Sequence, residues 1–426
     1  MSDVDQRLKA GVVEGLTAEK LDAMKRRIGM PFVDSLPSFN RTAAEDTIYH
    51  FAKGNGDDNP LWCDPDYGKT TRWGSVIAPP LYINTLARNE VSKLPEDMQH
   101  LRGDPLRGIH AFYAGGEWEF FEPVYPGDTA SMLDYLDAVE ERPSKFGGGK
   151  AFLVVHAKRY QNGRGQVVAV NRRTFYHAAR DSSAKAAKEK VRERKTWSAE
   201  DIAAIDAVHA AYQRRGAEPR YWEDVTVGDE LPLIVKGPMT ITDMVGAFVG
   251  FSFGPFGMSP FRMDYLNRQR VPRFYVPNQW GIPEGAGSCH WDDWWAQKVG
   301  AMAAYDFGMM RDYWATEVVT AWMGDDAFLR KLASRVRGFN YMGDAQWVRG
   351  SVASKSRDGD DHTVTIDVTM TNQRDEQDYT ATVTVALPSR ERGPVRLPNP
   401  PRDLPRGLDD LRRRLSASSG GASGGG

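Results

Sequence analysis

Cysteine is nearly missing from this chain: 426 residues contain two, Cys63 and Cys289. That excludes a disulfide framework and a paired CxxC metal or redox motif. Long apolar runs are missing too. The opening residues, MSDVDQRLKAG, lack the apolar core of a secretory signal, and no stretch is apolar for long enough to cross a bilayer. A cytoplasmic protein is therefore expected. No charge of one sign dominates either, since the formal net charge is -2. This removes the electrostatic footprint expected of a nucleic-acid or anionic-membrane binder.

What is present is ordinary for a folded chain: 41% hydrophobic and 26% charged residues. The length allows roughly two to three domains with substantial cores. Tryptophan is abundant, with twelve residues, and Trp291, Trp294, Trp295, Trp314, Trp322 and Trp347 gather in the second half. That cluster reads either as a large apolar cleft or as a bulky core.

Residues 1 to about 45 read as short helices and a loop. From Ala43 to Lys53 apolar residues recur at helical spacing, and Gly54 closes the segment. Turn formers fill Gly56 to Pro60, and Pro80 suits the first turn of a helix running to about Lys93. From Gly108 to Ala178 the pattern becomes strands broken by Pro-Gly-Asp and Asn-Gly turns. A long helix laid on an antiparallel meander is an α+β unit.

The charged, alanine-rich stretch 181–216 reads as a helical connector. Then the pattern repeats. Residues 240–251 answer 43–53, His290 to Gly308 answers Trp62 to Pro80, and Gly343-Asp344 answers Gly127-Asp128 before a second meander. The expected domains are 1–180 and 217–392, joined by 181–216 and followed by a flexible tail, 393–426. An insertion at 252–280, rich in aromatics and arginine, has no counterpart in the first half and reads as a lid or as an ordered surface loop.

The stretch that carries chemistry is GIPEGAGSCHWDDWWAQKVGAMAAYDFG, residues 281–308. His290 ends a glycine-rich loop, and Gly308 opens a helical run to Met323. A histidine before one helix and a glycine opening the next can hold a polarised carbonyl beside a proton-transfer group. The plainer reading makes His290 a capping or core residue. Asp292 reads as a helix cap. Cys289 reads as a small buried apolar residue, because neighbours in an extended loop point in opposite directions. His110 and His177 fall in strand patterns and read as structural. Arg262, Arg268, Arg270 and Arg273 read as phosphate ligands or as solvated surface.

Both halves resemble the MaoC-like, double hot-dog acyl dehydratases and R-specific enoyl-CoA hydratases, the first half in the manner of a FAS1-like dehydratase domain. The signature is Gly-Asp-x-Asn-Pro-Leu-His, then x-Asp, and a glycine opening the central helix. Gly56, Asp57, Asn59, Pro60, Leu61, Asp64, Tyr67, Gly74, Ile77 and Ala78 match it in the first half. His290, Asp292, Ala296 and Gly308 match in the second.

The resemblance implies two tandem hot-dog domains and water addition to, or removal from, an enoyl thioester. It implies a CoA-linked substrate, no metal or organic cofactor, and a homo-oligomer. The glycine N–H stabilises the developing oxyanion while Asp and His handle the proton. Neither half is complete. The first keeps Asp57 but has Trp62 for the histidine and Pro80, which lacks an N–H, for the glycine. The second keeps His290 and Gly308 but has Gly285 where the aspartate belongs.

The second half is thus the expected catalytic one, with His290 as acid/base and Gly308 as oxyanion donor. Its carboxylate would come from Glu284, Asp306 or, less directly, Asp57. Tyr305, Trp291, Trp62, Asn59 and Arg262 are the candidate substrate contacts, and a bulky or aromatic acyl group is expected. Asp57 and Asn59 have the plainer role of shaping the turn, and Trp62 that of plugging the vacated site. A hot-dog thioesterase, a lyase on a non-thioester aromatic substrate, and a non-catalytic acyl-binding subunit are the competing functions.

Overall fold

The computed structural model describes residues 15–33, 40–107, 109–144, 149–178, 193–251, 261–270, 272, 275–359 and 361–420. The first half supplies β1 (Arg88–Asn89), β2 (Ala111–Phe120), β3 (Ala130–Ser144), β4 (Gly149–Asn162) and β5 (Val167–His177). The second supplies β6 (Ile234–Lys236), a separate ribbon of β7 (Tyr275–Pro277) and β8 (Pro283–Gly285), then β9 (Phe328–Val336), β10 (Gln346–Asp358), β11 (Asp361–Asn372) and β12 (Gln377–Ala386). Period-two patterning builds these strands. Along β11, His362, Val364, Ile366, Val368 and Met370 are buried in alternation with more open neighbours.

One ten-stranded sheet results, in the order β1-β3-β4-β5-β2-β9-β12-β11-β10-β6. Read outward from the middle, each half has the same order, with β9, β12, β11, β10 and β6 standing for β2, β5, β4, β3 and β1. The halves join where β2 pairs antiparallel with β9, Trp118 opposite Leu332. The internal repeat and the α+β, tandem hot-dog architecture are therefore borne out.

The helices are α1 (Ala18–Lys25), α2 (Glu45–Gly54), α3 (Pro60–Cys63), α4 (Pro65–Thr70), α5 (Ala199–Ala211), α6 (Ile241–Gly250), α7 (Arg262–Arg270), α8 (Asp293–Val299), α9 (Gly308–Met323) and α10 (Leu408–Gly420). The counterparts α2 and α6 pack on each other through glycines. A Cβ on Gly54 would lie 2.5 Å from the Gly246 carbonyl oxygen, so only glycine permits this approach. Helix α9 is buried from Met309 to Met323 on all sides. It is the core of the molecule.

Among the described residues the first half has no equivalent of α9. The helix expected from Pro80 to Lys93 is replaced by a single 3-10 turn, Tyr82–Thr85, followed by β1. Pro80 removes one backbone donor and Leu81 turns left-handed at φ 72°, which ends a helix before it can propagate. The tail also needs correction. Residues 408–420 are helical, and Leu411, fully buried, packs with Leu133 and Tyr135. Of the expected connector, residues 179–192 lie outside the described part, and the helix within the rest is α5, capped by Ser198. In the insertion, 252–260, 271, Arg273 and 274 lie outside it as well; the rest holds α7 and β7, which pairs with β8 just beyond the insertion. Among the described residues no helix is long and apolar enough to cross a membrane.

Candidate active site

His290 ends a 3-10 turn, Ala286–His290, and Asp292 then caps α8 by accepting from the Trp294 N–H at 2.8 Å. The half-buried imidazole has its Nδ1 3.0 Å from the Tyr305 carbonyl oxygen. An Nδ1–H donated there makes Nε2 the nitrogen that takes up a proton. The ring lies 4.9 Å from that of Tyr305, 5.6 Å from Phe248 and 5.8 Å from Phe307. Phe307 is the N-cap residue of α9, so the imidazole stands beside the helix start. Gly308, half-buried, is the first helical residue. Its N–H has no acceptor within the helix and sits at the positive end of the dipole.

The turn corrects one expectation about Cys289. In an extended loop it would point away from His290, but the 3-10 turn keeps both side chains in contact range. Burial opposes the charged imidazolium. The Cys289 sulfur, the Tyr305 carbonyl and Asp306 outweigh it, so the His290 pKa is raised. Burial likewise resists the Cys289 thiolate, yet His290 and the Tyr305 hydroxyl, 3.4 Å from the sulfur, lower its pKa. The same hydroxyl lies 3.4 Å from Nε2 of His110, which comes from the first half.

The three carboxylates proposed as partners of His290 all have other work. Asp306 is buried and receives Arg311 through both oxygens, at 2.6 and 2.9 Å, with the Asn340 amide at 3.2 Å. Its influence on His290 is electrostatic. Glu284 accepts from the Trp295 indole at 3.0 Å and lines an open cleft of about 490 Å³ with Trp280, Trp291 and Asp292.

Asp57 lies in the first half. It accepts from the Trp62 indole (3.0 Å), the Tyr313 hydroxyl (2.8 Å), the Asn59 N–H (2.9 Å) and Arg214 (3.2 Å). Asn59 caps α3, accepting from the Leu61 N–H at 3.0 Å. Trp62, buried, borders an apolar cavity of about 70 Å³ with Trp73, Ile77, Pro80, Phe120 and Met323. That cavity lies at the far end of α9 from Gly308, about 22 Å away at 1.5 Å per residue. Trp62 is thus at the Met323 end of α9, Asp57 meets the helix part-way along at Tyr313, and His290, Tyr305 and Gly308 gather at its start. Trp291 joins that last group, edge-on to Phe248 at 5.5 Å. Arg262 is exposed on α7, and Arg268 is paired with Asp264 at 3.0 Å.

Three residues at this end escaped sequence reading. Tyr113 of β2 lies directly against Gly308: a Cβ there would fall 2.4 Å from the ring's Cδ1. The Tyr113 hydroxyl donates to Asp312 Oδ2, and the Tyr379 hydroxyl donates to Oδ1 at 2.9 Å. Asp312 is fully buried, and burial pushes its pKa up to about 6 against those bonds. Further along α9, burial likewise raises Glu317 to about 7, opposed by Lys236 at 2.9 Å. The spacing Gly308 to Asp312, one helical turn, was legible. Its partner from 199 residues earlier was not.

Residues 29–171 match the family model described as FAS1-like, dehydratase domain region. A UPF0336 protein of Saccharopolyspora erythraea is 31% identical over 113 residues, covering 26% of this chain and 65% of that one. A probable enoyl-CoA hydratase alpha subunit of Thermomonospora curvata is 25% identical over 134 residues, covering 29% of this chain and 41% of its own length. A UPF0336 protein of Streptomyces avermitilis is 27% identical over 93 residues, 22% of this chain, and is itself covered for 59% of its length. Each relative is thus matched over less than two thirds of its length. A solved MaoC-like dehydratase shares the fold, with a TM-score of 0.58 at 16% identity over 85% of this chain and 99% of that one. Residues 29–171 thus resemble a FAS1-like dehydratase region, and 85% of the chain shares the fold of that MaoC-like dehydratase.

Proposed function

We propose that the chain is a hydro-lyase, adding water to or withdrawing it from an enoyl thioester, CoA-linked and with a bulky or aromatic acyl group. His290 Nε2 exchanges the proton of the attacking water, and the Gly308 N–H stabilises the charge that develops on the thioester oxygen. The observation that carries this reading is the hydrogen bond between His290 Nδ1 and the Tyr305 carbonyl, three residues before Gly308. It fixes the imidazole's tautomer and keeps it at the start of α9. The bulky acyl group is proposed from the open cleft that Trp280 and Trp291 line, which reaches the residue after His290 but not His290 or Gly308 themselves.

The test follows loss of enoyl absorbance and release of free coenzyme A side by side, with crotonyl-CoA and cinnamoyl-CoA. Absorbance should fall without thiol release, and His290→Ala should lower kcat by roughly 10²- to 10⁴-fold. Thiol release at the same rate would make the protein a thioesterase instead.

A second reading, an acyl-binding subunit without turnover, draws support from one fact: Glu284, Asp306 and Asp57 are all held by other groups. Unchanged acyl-CoA binding and no turnover in either protein would favour it.

A further inference from the structure

The two halves meet at Gly308 through one side chain. Tyr113 belongs to β2 of the first half, yet its ring lies in van der Waals contact with the first residue of α9. Its hydroxyl is held by Asp312, and a second tyrosine, Tyr379, holds the other carboxylate oxygen. Asp312 and Tyr379 are sealed in the core, while Tyr113 stays half-buried. One edge of its ring packs on Phe175, at 5.9 Å between centroids. The remainder borders the start of α9. The ring is therefore anchored at its buried end and partly open at the other.

We infer that Tyr113 is a specificity-determining residue, the wall that restricts the site to flat acyl thioesters unbranched at the carbon next to the carbonyl. This rests on the proposed role of the Gly308 N–H. A carbonyl oxygen bound there places its own carbon, and the next one, alongside Gly308. The Tyr113 ring stands on that side. A planar conjugated enoyl group lies flat against it, whereas an added α-methyl meets a ring that cannot withdraw, because Asp312 holds its hydroxyl. The same packing gives position 308 a reason to be glycine: any side chain would occupy the ring's place.

The experiment compares crotonyl-CoA with tigloyl-CoA, its α-methyl counterpart, in the wild type, Tyr113→Phe and Tyr113→Ala. The wild type should favour crotonyl-CoA, and Tyr113→Ala should erase about tenfold or more of that preference, the scale of one methyl group in a fitted pocket. Tyr113→Phe, which keeps the ring and loses its anchor, should fall between them. Tyr113→Leu serves as a second variant should alanine unfold the helix start. A purely structural role would lower kcat/KM for both substrates by the same factor, and that result would overturn the inference. Calorimetric binding of butyryl-CoA and 2-methylbutyryl-CoA reads the same discrimination without chemistry. Absent turnover with a retained binding preference would therefore sink the hydro-lyase reading alone, while equal affinities in wild type and Tyr113→Ala would sink the role of Tyr113.

Discussion

The two ends of α9 are the same piece of architecture taken in opposite directions. At the first-half end the signature carboxylate survives, and it has become a fastener: Asp57 ties Trp62 of its own loop to Tyr313 of the other half's helix. The donor that should have polarised a carbonyl is a proline, no helix forms, and an apolar cavity occupies the space. At the second-half end the imidazole and the opening glycine remain, while the carboxylate position holds Gly285. One end keeps the anion and uses it for stability. The other keeps the imidazole and the glycine N–H, the groups to which the proposed function assigns proton transfer and charge stabilisation.

The sharpest way to break that comparison is to remove Asp57. Asp57→Ala leaves the buried Trp62 and Tyr313 donors and Arg214 unmatched, and should cost about 3–5 kcal/mol in denaturant unfolding. His290→Ala, at the other end, should leave the unfolding midpoint nearly in place. A large loss of stability in His290→Ala, or none in Asp57→Ala, would reverse the assignment of roles.

Next in size is an effect of pH. The folded pKa of Asp312 is raised from 3.8 to about 6, so between those values the native state binds more protons than the unfolded chain. The contribution of Asp312 to stability is then greatest below the lower value and is lost as pH rises towards about 6, by up to about 3 kcal/mol. Glu317, raised from 4.5 to about 7, adds a fall of the same sign over a higher window. Asp312→Asn should flatten the lower part of the profile and Glu317→Gln the upper part. Buried His177, lowered to about 4, opposes this trend, because stability is lost as pH drops through its window. A profile that rises steadily from pH 4 to 7 in both variants and wild type would show that the histidines outweigh the carboxylates.

The smallest expected effect tests the cavity. Ala169 is fully buried on β5 and lines it, so Ala169→Val should fill part of the space and raise stability by about 1 kcal/mol while leaving turnover alone. A drop in turnover would mean that the first-half cavity serves the substrate after all.

The local features of the chain were readable before folding. Alternation along β11, the turn at Asn59, the Asp292 cap, the glycine ending α2 and the matched order of the two halves depend on residues close together in sequence. The same short-range logic misjudged the run after Pro80. Its spacing suits a helix, but Leu81 turns left-handed and its neighbours are drawn into the core as a single turn. It also assigned carboxylates to His290 by proximity along the chain. Proximity said nothing about Arg311 reaching back to Asp306 or Trp295 reaching Glu284.

By itself, then, the sequence determined the repeat, the strand periodicity, the caps and which motif positions each half retains, because these are settled by bonding between near neighbours. Only the tertiary structure decided what every buried charge is paired with, that one half does without its long helix, and that Tyr113 stands against Gly308. Those outcomes turn on which groups must satisfy one another once water is excluded, and the partners come from elements as far apart in the chain as Asp57 and Tyr313, 256 residues.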